Sequence, residues 1–299
     1  MKLSSLVFDI AGSNNLLDLL ELAIKCDQCG FSRLWLGEHY GNMGFWNNPE
    51  PLIPVLLGIT KRINVGCAGI LVKYHSPLRI ASSFKLINSI YPERVDLGFA
   101  AGKVHKEVRT YLYKFPDSEL EVNDFFNAIN KILSFYKDEE VHNKKHVYIH
   151  PQHFPSPNLW LLTTDFNRLN DALDLGVNFS KSIFHINSSQ ASENQSIEKF
   201  KNSFIDKYYL KPEINLAFSG ILTKDDKETT EIRRKIDKGM FSGFQCNIVA
   251  TETEFCDKIN SYQEKFGIND FSFLDLSPRI EKRIENIEIL SENLNIKNH

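Results

Sequence analysis

The stretch VGCAGILVKYHSPLRIASSFKLINSIYPERVDLGFAAG, from Val65 to Gly102, decides the fold. It begins with a nearly continuous apolar run, the reading of a strand covered on both faces. Ser76-Pro77 then sets a capping hydroxyl before a proline suited to a first helical turn, and an amphipathic helix follows. A second apolar run, Arg94–Phe99, ends in the small residues Ala100, Ala101 and Gly102. Both strands therefore end where a flat ligand could lie on the backbone.

Outward from this unit the same alternation repeats. Strand-like runs stand at Leu3–Phe8, Arg33–Leu36, Asn64–Leu71, Arg94–Phe99, Asn158–Leu162, Asn178–Phe184, Ile214–Ser219 and Asp270–Leu274. Helical spacing fills the intervals, as in the stripe Val122, Phe125, Phe126, Ile129, Ile132, Leu133 and Tyr136. Further start signals are Ser277-Pro278 and a capping box of Thr251 with Glu254. Eight strand–helix units in roughly 250 residues plus insertions fit a closed (β/α)8 barrel. An open doubly wound sheet is the alternative, but its GxGxxG phosphate loop is absent. Lys103–Ser118 and Asp138–Pro157 exceed the bare repeat and read as excursions over the barrel mouth. No linker or internal repeat divides residues 1–299, which are read as a single domain.

Composition narrows the class. A chain of 299 residues with net charge −3 lacks the basic footprint expected of a nucleic-acid binder. No apolar run reaches the roughly 18 residues of a membrane span, and the N-terminus does not read as a signal peptide, so a cytoplasmic protein is expected. Five cysteines do not suggest a disulfide scaffold. Cys26 and Cys29 have no second pair at zinc spacing, and His142, His146, His150 and His153 read as a solvated loop; no metal site is assigned.

Candidate chemistry follows from the strand ends. His39 directly follows the second strand and would stand at the active mouth, where an imidazole can move a proton near neutral pH. Glu38 beside it could orient it or cap a neighbouring element. Thr163, Thr164 and Asn167 lie where the fifth strand gives way to a helix. They could cradle a phosphate, or Thr164 could simply cap that helix. Asp165 would repel a phosphate if it faced inward. Tyr40, Phe45 and Trp46 would suit an apolar group or pack under a lid.

LWLGEHY, GCAGILVKYHSPLR and YPERVDLGFAAG, with PNLWLLTTDFNRLNDALDLGVNF and VATETEFCDKINSYQEKFGINDF, occur in the order seen in one superfamily. The chain resembles the bacterial luciferase-like family of flavin- or deazaflavin-dependent oxidoreductases, whose fold is a TIM barrel. The resemblance implies a catalytic His39 and a substrate site that includes Glu38 and Tyr40. It also implies a non-proline cis peptide at Ala68-Gly69 beneath the cofactor ring, with Ala100, Gly102, Thr163, Thr164 and Asn167 around the cofactor. Two departures stand out: Tyr40 replaces a second histidine, and Ala101 replaces an arginine that holds the cofactor phosphate in relatives.

The activity so implied is a monooxygenase that uses reduced FMN and oxygen on a small organic substrate. Deazaflavin is the other cofactor, and a separate flavin reductase would be the redox partner. The competing expectation is a cofactor-poor partner subunit that completes a related barrel. A barrel hydrolase using the clustered histidines would need carboxylate partners that are not evident. A homodimer or heterodimer of barrels is the default assembly, with no nucleic-acid or membrane partner.

Overall fold

The computed structural model describes residues 1–8, 16–41, 45–112, 122–185, 194–241 and 244–296. Its strands are β1 (Lys2–Val7), β2 (Arg33–Leu36), β3 (Asn64–Ile70), β4 (Val95–Phe99), β5 (Asn158–Thr163), β6 (Asn178–Ser182), β7 (Ile214–Thr223), β8 (Ile248–Thr251) and β9 (Asp270–Asp275). The helices are α1 (Leu17–Gln28), α2 (Leu52–Ile59), α3 (Pro77–Ile90), α4 (Lys106–Leu112), α5 (Val122–Lys137), α6 (Glu139–Asn143), α7 (Leu169–Leu175), α8 (Asn194–Tyr208), α9 (Asp226–Asp237), α10 (Glu252–Phe266) and α11 (Ile280–Asn293). Short 3₁₀ turns occupy Val72–Tyr74 and Phe166–Arg168. No helix among the described residues is long and apolar enough to cross a membrane.

All the strand pairs are parallel, and β6 pairs with both β5 and β7, so the sheet closes. Eight strands, β1 to β7 and β9, form the barrel expected from the sequence. β8 is a ninth strand, not anticipated, which pairs only with Gly220–Thr223 at the far end of β7. Gly220 permits this. A Cβ there would lie 2.7 Å from the Ile248 carbonyl oxygen and 2.8 Å from the Phe255 ring.

Two apolar layers result. The larger packs the outer faces of the strands against the helices, with Phe84, Phe125, Ile129, Ile132, Phe179, Phe218 and Phe255 among its members. The smaller fills the lumen with Leu6, Trp35, Ala68, Trp160, Phe184, Ala217 and Leu274. Below it, the N-terminal end of the lumen is polar and sealed. Arg33 is 3% exposed, donates from Nη1 to Asp270 at 2.7 Å and places Nε 3.1 Å from Asp96. Its Nη2 pairs with Glu213. Asp96 also accepts from the indoles of Trp35 (3.1 Å) and Trp160 (3.3 Å), and the guanidinium lies 4.7 Å over the Trp160 ring. A buried charge needs such compensation. Among the described residues this cluster fills the N-terminal end of the lumen, so the candidate site is sought at the other end.

One expected start signal is displaced. Helix α11 begins at Ile280, after Arg279; Ser277 instead gives its carbonyl to Arg283 Nε at 2.9 Å and its hydroxyl to Asn286 at 3.3 Å. The second excursion is corrected as well. Asp138–Pro157 joins α5 to the start of β5, and Asn88 near the end of α3 donates to the carbonyls of Pro155 and Ser156. Helices run back from the mouth, so this stretch and its four histidines lie at the floor end. The first excursion does follow β4 at the mouth; its residues 113–118 lie outside those described.

Candidate active site

The mouth is built from the turns that leave the C-terminal ends of the strands. After β2 the chain turns back on itself. Trp46 Nε1 donates to the Gly37 carbonyl at 2.9 Å, the His39 N–H donates to Asn47 O at 3.2 Å, and Asn47 Nδ2 returns a bond to His39 O at 3.0 Å. This pins the segment and leaves the His39 side chain exposed. The Gly41 N–H donates to His39 Nδ1 at 3.2 Å. An accepting Nδ1 places the proton of the neutral ring on Nε2. His39 thus presents a hydrogen-bond donor. Gly41 also has to stay small, since a Cβ there would sit 2.5 Å from His39 Cε1.

Glu38 is 5% exposed, and both its oxygens are taken. Oε2 accepts from the Leu71 N–H at 2.7 Å, and Oε1 lies 2.7 Å from His75 Nε2. Expected to face substrate, it instead ties the end of β2 to the end of β3. Tyr40 is half-buried near the same carboxylate; burial, then the Glu38 charge, pushes its phenol well above the usual range. It belongs to this brace and presents its hydroxyl inward. Burial pulls His75 down, but Glu38's hydrogen bond and charge, with Glu50 nearby, leave its imidazole above the usual value.

The end of β3 matches what the resemblance implied. The Ala68-Gly69 peptide is cis, and the pairing of β3 with β4 shifts register between Cys67 and Ile70. Only glycine fits at 69, because a Cβ would lie 2.5 Å from Leu162 Cδ1 and 2.9 Å from the Gly98 carbonyl. The Ala68 methyl joins the lumen cluster. Ala100 is held by its N–H to Ile70 O at 2.9 Å, and Ala101, Gly102 and Lys103 are exposed beyond it.

After β5 the geometry departs from expectation. Asp165, not Thr164, caps the 3₁₀ turn: its Oδ1 accepts from the Asn167 N–H at 3.0 Å and its Oδ2 from the Asn167 side-chain amide at 3.2 Å. The Thr163 hydroxyl accepts from the Asp165 N–H at 3.1 Å. The donors that Asn167 could offer a phosphate are met by the Asp165 carboxylate, and the Thr163 hydroxyl donates to the Asp165 backbone carbonyl at 3.4 Å. The β5 end holds its own anion.

His185, directly after β6, was missed by the sequence reading. Its Nδ1 lies 2.5 Å from the Ser182 hydroxyl, and its ring stacks on Phe184 at 4.5 Å and meets Phe244 at 5.9 Å. Burial pushes its pKa down, which favours the neutral ring. The signal was available: His185 follows its strand as directly as His39 follows β2. Phe8, Leu162, Phe244 and Leu276 cover the top of the lumen cluster and are themselves only partly buried.

This surface has the apolarity and small residues that would suit an isoalloxazine ring. The β2–β4 side of the mouth fits the ring of a flavin-type cofactor. The β5 end does not fit its phosphate.

Relatives and solved structures agree with this architecture. YvbT of Bacillus subtilis (strain 168), an uncharacterized protein, is 28% identical over 261 residues, which are 84% of this chain and 74% of YvbT. N-acetyl-S-alkylcysteine monooxygenase of the same strain is 26% identical over 167 residues, 54% of this chain and 48% of that protein. YceB, also from that strain, is matched over 64% of its length at 25% identity, covering 71% of this chain. The chain thus matches between about half and three quarters of these relatives. Apo-MsnO8 superposes with a TM-score of 0.82 at 20% identity, covering 100% of this chain and 99% of that one. The oxygenating constituent of 3,6-diketocamphane monooxygenase from Pseudomonas putida, in complex with FMN, gives 0.69 at 14% identity, over 98% and 97%. An F420-dependent secondary alcohol dehydrogenase gives 0.66 at 15%, over 99% and 98%. The luciferase-like monooxygenase model matches residues 5–175, more than half of the 299. The chain belongs to the luciferase-like monooxygenase family.

Proposed function

We propose that this chain is a monooxygenase that uses reduced flavin and oxygen on a small organic substrate, with His39 as the catalytic residue. One observation carries the reading. Above a sealed polar floor, the mouth offers an apolar surface of Ala68, Leu162, Phe244 and Leu276, with the exposed His39 imidazole following β2 at the same end. Reduced flavin, when bound there, would supply the electrons for oxygen activation. Ala68, Gly69, Ala100 and Gly102 would lie against its ring. His39 Nε2–H would donate to oxygen-borne negative charge as it develops, and Phe8, Phe184 and Phe244 would exclude water. FMN is the cofactor favoured, by analogy with the diketocamphane enzyme; the F420 neighbour makes deazaflavin hydride transfer the close variant.

The sheet draws its strands from Lys2 to Asp275, which supports one domain over 1–299. Exposed Val55 and Ile59 on α2, with Leu78, Leu86 and Ile90 on α3, favour pairing with a second barrel. The Asp165-filled β5 end supports the partner-subunit reading as the alternative. The test is a titration of the purified chain with oxidised and reduced FMN and with deazaflavin, followed by fluorescence or calorimetry. Micromolar binding of one of them, with turnover lost in His39→Ala, is expected. Absence of binding at millimolar concentrations would leave the partner-subunit reading standing.

A further inference from the structure

The turns after β3 and β4 carry cations that the proposed oxygen chemistry does not use. Lys73, in the 3₁₀ turn Val72–Tyr74, is 8% exposed. Its ammonium makes no hydrogen bond or ion pair with any described residue, whereas the buried Lys85 is paired with Glu139 at 2.5 Å. A lysine is rarely buried without a partner. Lys103 follows β4, and Arg109 lies on α4, with its Nε buried and unpartnered. The two turns are held together: the Val104 N–H donates to Tyr74 Oη at 3.3 Å. Burial, and then the like charges of Lys103 and Arg109, lower the Lys73 pKa, while Asp124 pulls the other way. Among the described residues, Asp124 is the carboxylate that acts on Lys73, against the two further cations Lys103 and Arg109.

We propose that Lys73, Lys103 and Arg109 form an anion-binding site on the β3–β4 rim of the mouth, and that it takes the phosphate monoester of a phosphorylated flavin. The flavin part rests on the function proposed above; the anion site does not. Lysines contribute compact charge and arginine a planar fork of donors, the usual equipment for phosphate. The site lies at the same end as Ala68-Gly69 and Ala100. It replaces two things the chain lacks: an arginine at position 101, and open donors after β5.

The experiment compares FMN with riboflavin, which shares the ring but has no phosphate, on wild type, Lys73→Gln, Lys103→Gln and the exposed control Lys106→Gln. Binding is read by flavin fluorescence, and folding by thermal melting. FMN should bind wild type at least tenfold tighter than riboflavin. Lys73→Gln should weaken FMN about tenfold to a hundredfold without moving riboflavin. Lys103→Gln should act the same way more weakly, because it is solvated, and Lys106→Gln should do nothing. Equal affinity of wild type for both flavins, or equal losses of both in the variants, overturns the site.

If neither flavin binds, the proposed function fails, and inorganic phosphate still decides the site. A rise in melting temperature with millimolar phosphate, absent at equal ionic strength of chloride and absent in Lys73→Gln, would keep the site and point to a phosphate-bearing substrate. No such rise discards it. Without any anion, Lys73→Gln should melt higher than wild type, since it relieves the repulsion from Lys103 and Arg109. A lower melting temperature would mean that Lys73 serves only the fold.

Discussion

The two sides of the mouth treat their polar groups in opposite ways. After β5, the Asn167 N–H and amide are both satisfied by Asp165, and the Asp165 N–H is satisfied by Thr163. After β3 and β4, Arg109 Nε is buried without a partner, and the ammonium of the largely buried Lys73 makes no hydrogen bond or ion pair with a described residue. A turn that closes its own hydrogen bonds gains stability and loses the capacity to bind. A turn that leaves charges unmatched gives up stability and gains a site. Residue type alone would have reversed the assignment, since hydroxyls and amides at a helix start look receptive. Who already occupies the donors decides it.

The open side survives because Glu38 holds β2 and β3 together. Its removal is the harshest way to break the contrast. Glu38→Ala leaves the Leu71 N–H and the buried face of His75 unpartnered, and should cost about 3–5 kcal/mol of folding free energy. Denaturant unfolding measures this. A loss below about 1 kcal/mol would mean that water replaces the carboxylate. Glu38→Gln keeps one acceptor and should lose less.

Gly41→Ala comes next and acts on the imidazole rather than the fold. The new methyl collides with His39 Cε1 at 2.5 Å, so the ring must leave its bond with the Gly41 N–H. Turnover should fall about tenfold or more, as small displacements of a reacting group do, while the melting temperature stays within a few degrees. Unchanged turnover would show that the Gly41 contact does not position a ring that takes part in the reaction, as proposed for His39.

Asp165→Ser sharpens the contrast from the other side. Serine still caps the turn but carries no charge, so the Asn167 amide is released. FMN affinity should stay within about twofold, with riboflavin unmoved, at a stability cost of about 1 kcal/mol. A gain of about tenfold confined to FMN would place the phosphate at β5 once that end is free, and not on the β3–β4 rim.

How far this was legible differs by level. The eight barrel strands could be read because buried parallel strands are apolar throughout, and that pattern needs no knowledge of partners. The run Ile214–Ser219 read from the sequence is only part of β7. It continues to Thr223, because β8 comes close enough to demand glycine. β8 itself has only four residues, Ile248–Thr251, and no periodicity can develop in so few. The position of His39 followed from strand order. The role of Glu38 did not: its partners are Leu71 and His75, more than thirty residues away, and a pairing at that distance leaves no local pattern. From sequence, Asp165 repels a phosphate only if it faces inward, and its capture of Asn167 depends on a turn conformation that composition does not specify. Lys73 read as part of a motif, and its burial appeared only once α5 was packed over that turn.

The smallest effect tests the brace by pH. Burial alone would lower the His75 pKa, yet the Glu38 bond and the charges of Glu38 and Glu50 outweigh it, and the folded-state value lies above the ordinary 6.5. A raised value means that folding favours the protonated ring, so the His75–Glu38 pair stabilises fully below about pH 6.5 and loses that contribution as pH rises through the folded value. The melting temperature of wild type should therefore exceed that of His75→Gln by more at pH 6 than at pH 8.5. His75 is partly exposed, so solvent screens the effect and a difference of a few degrees is expected. If the gap were flat across that range, the imidazole would be acting as a neutral donor to Glu38. If it widened with pH, the folded-state value would be depressed, and Glu38 would not be the group that controls this turn. Only the second result would detach the His75 ring from control by the β2 carboxylate; the first keeps the pair as a neutral hydrogen bond.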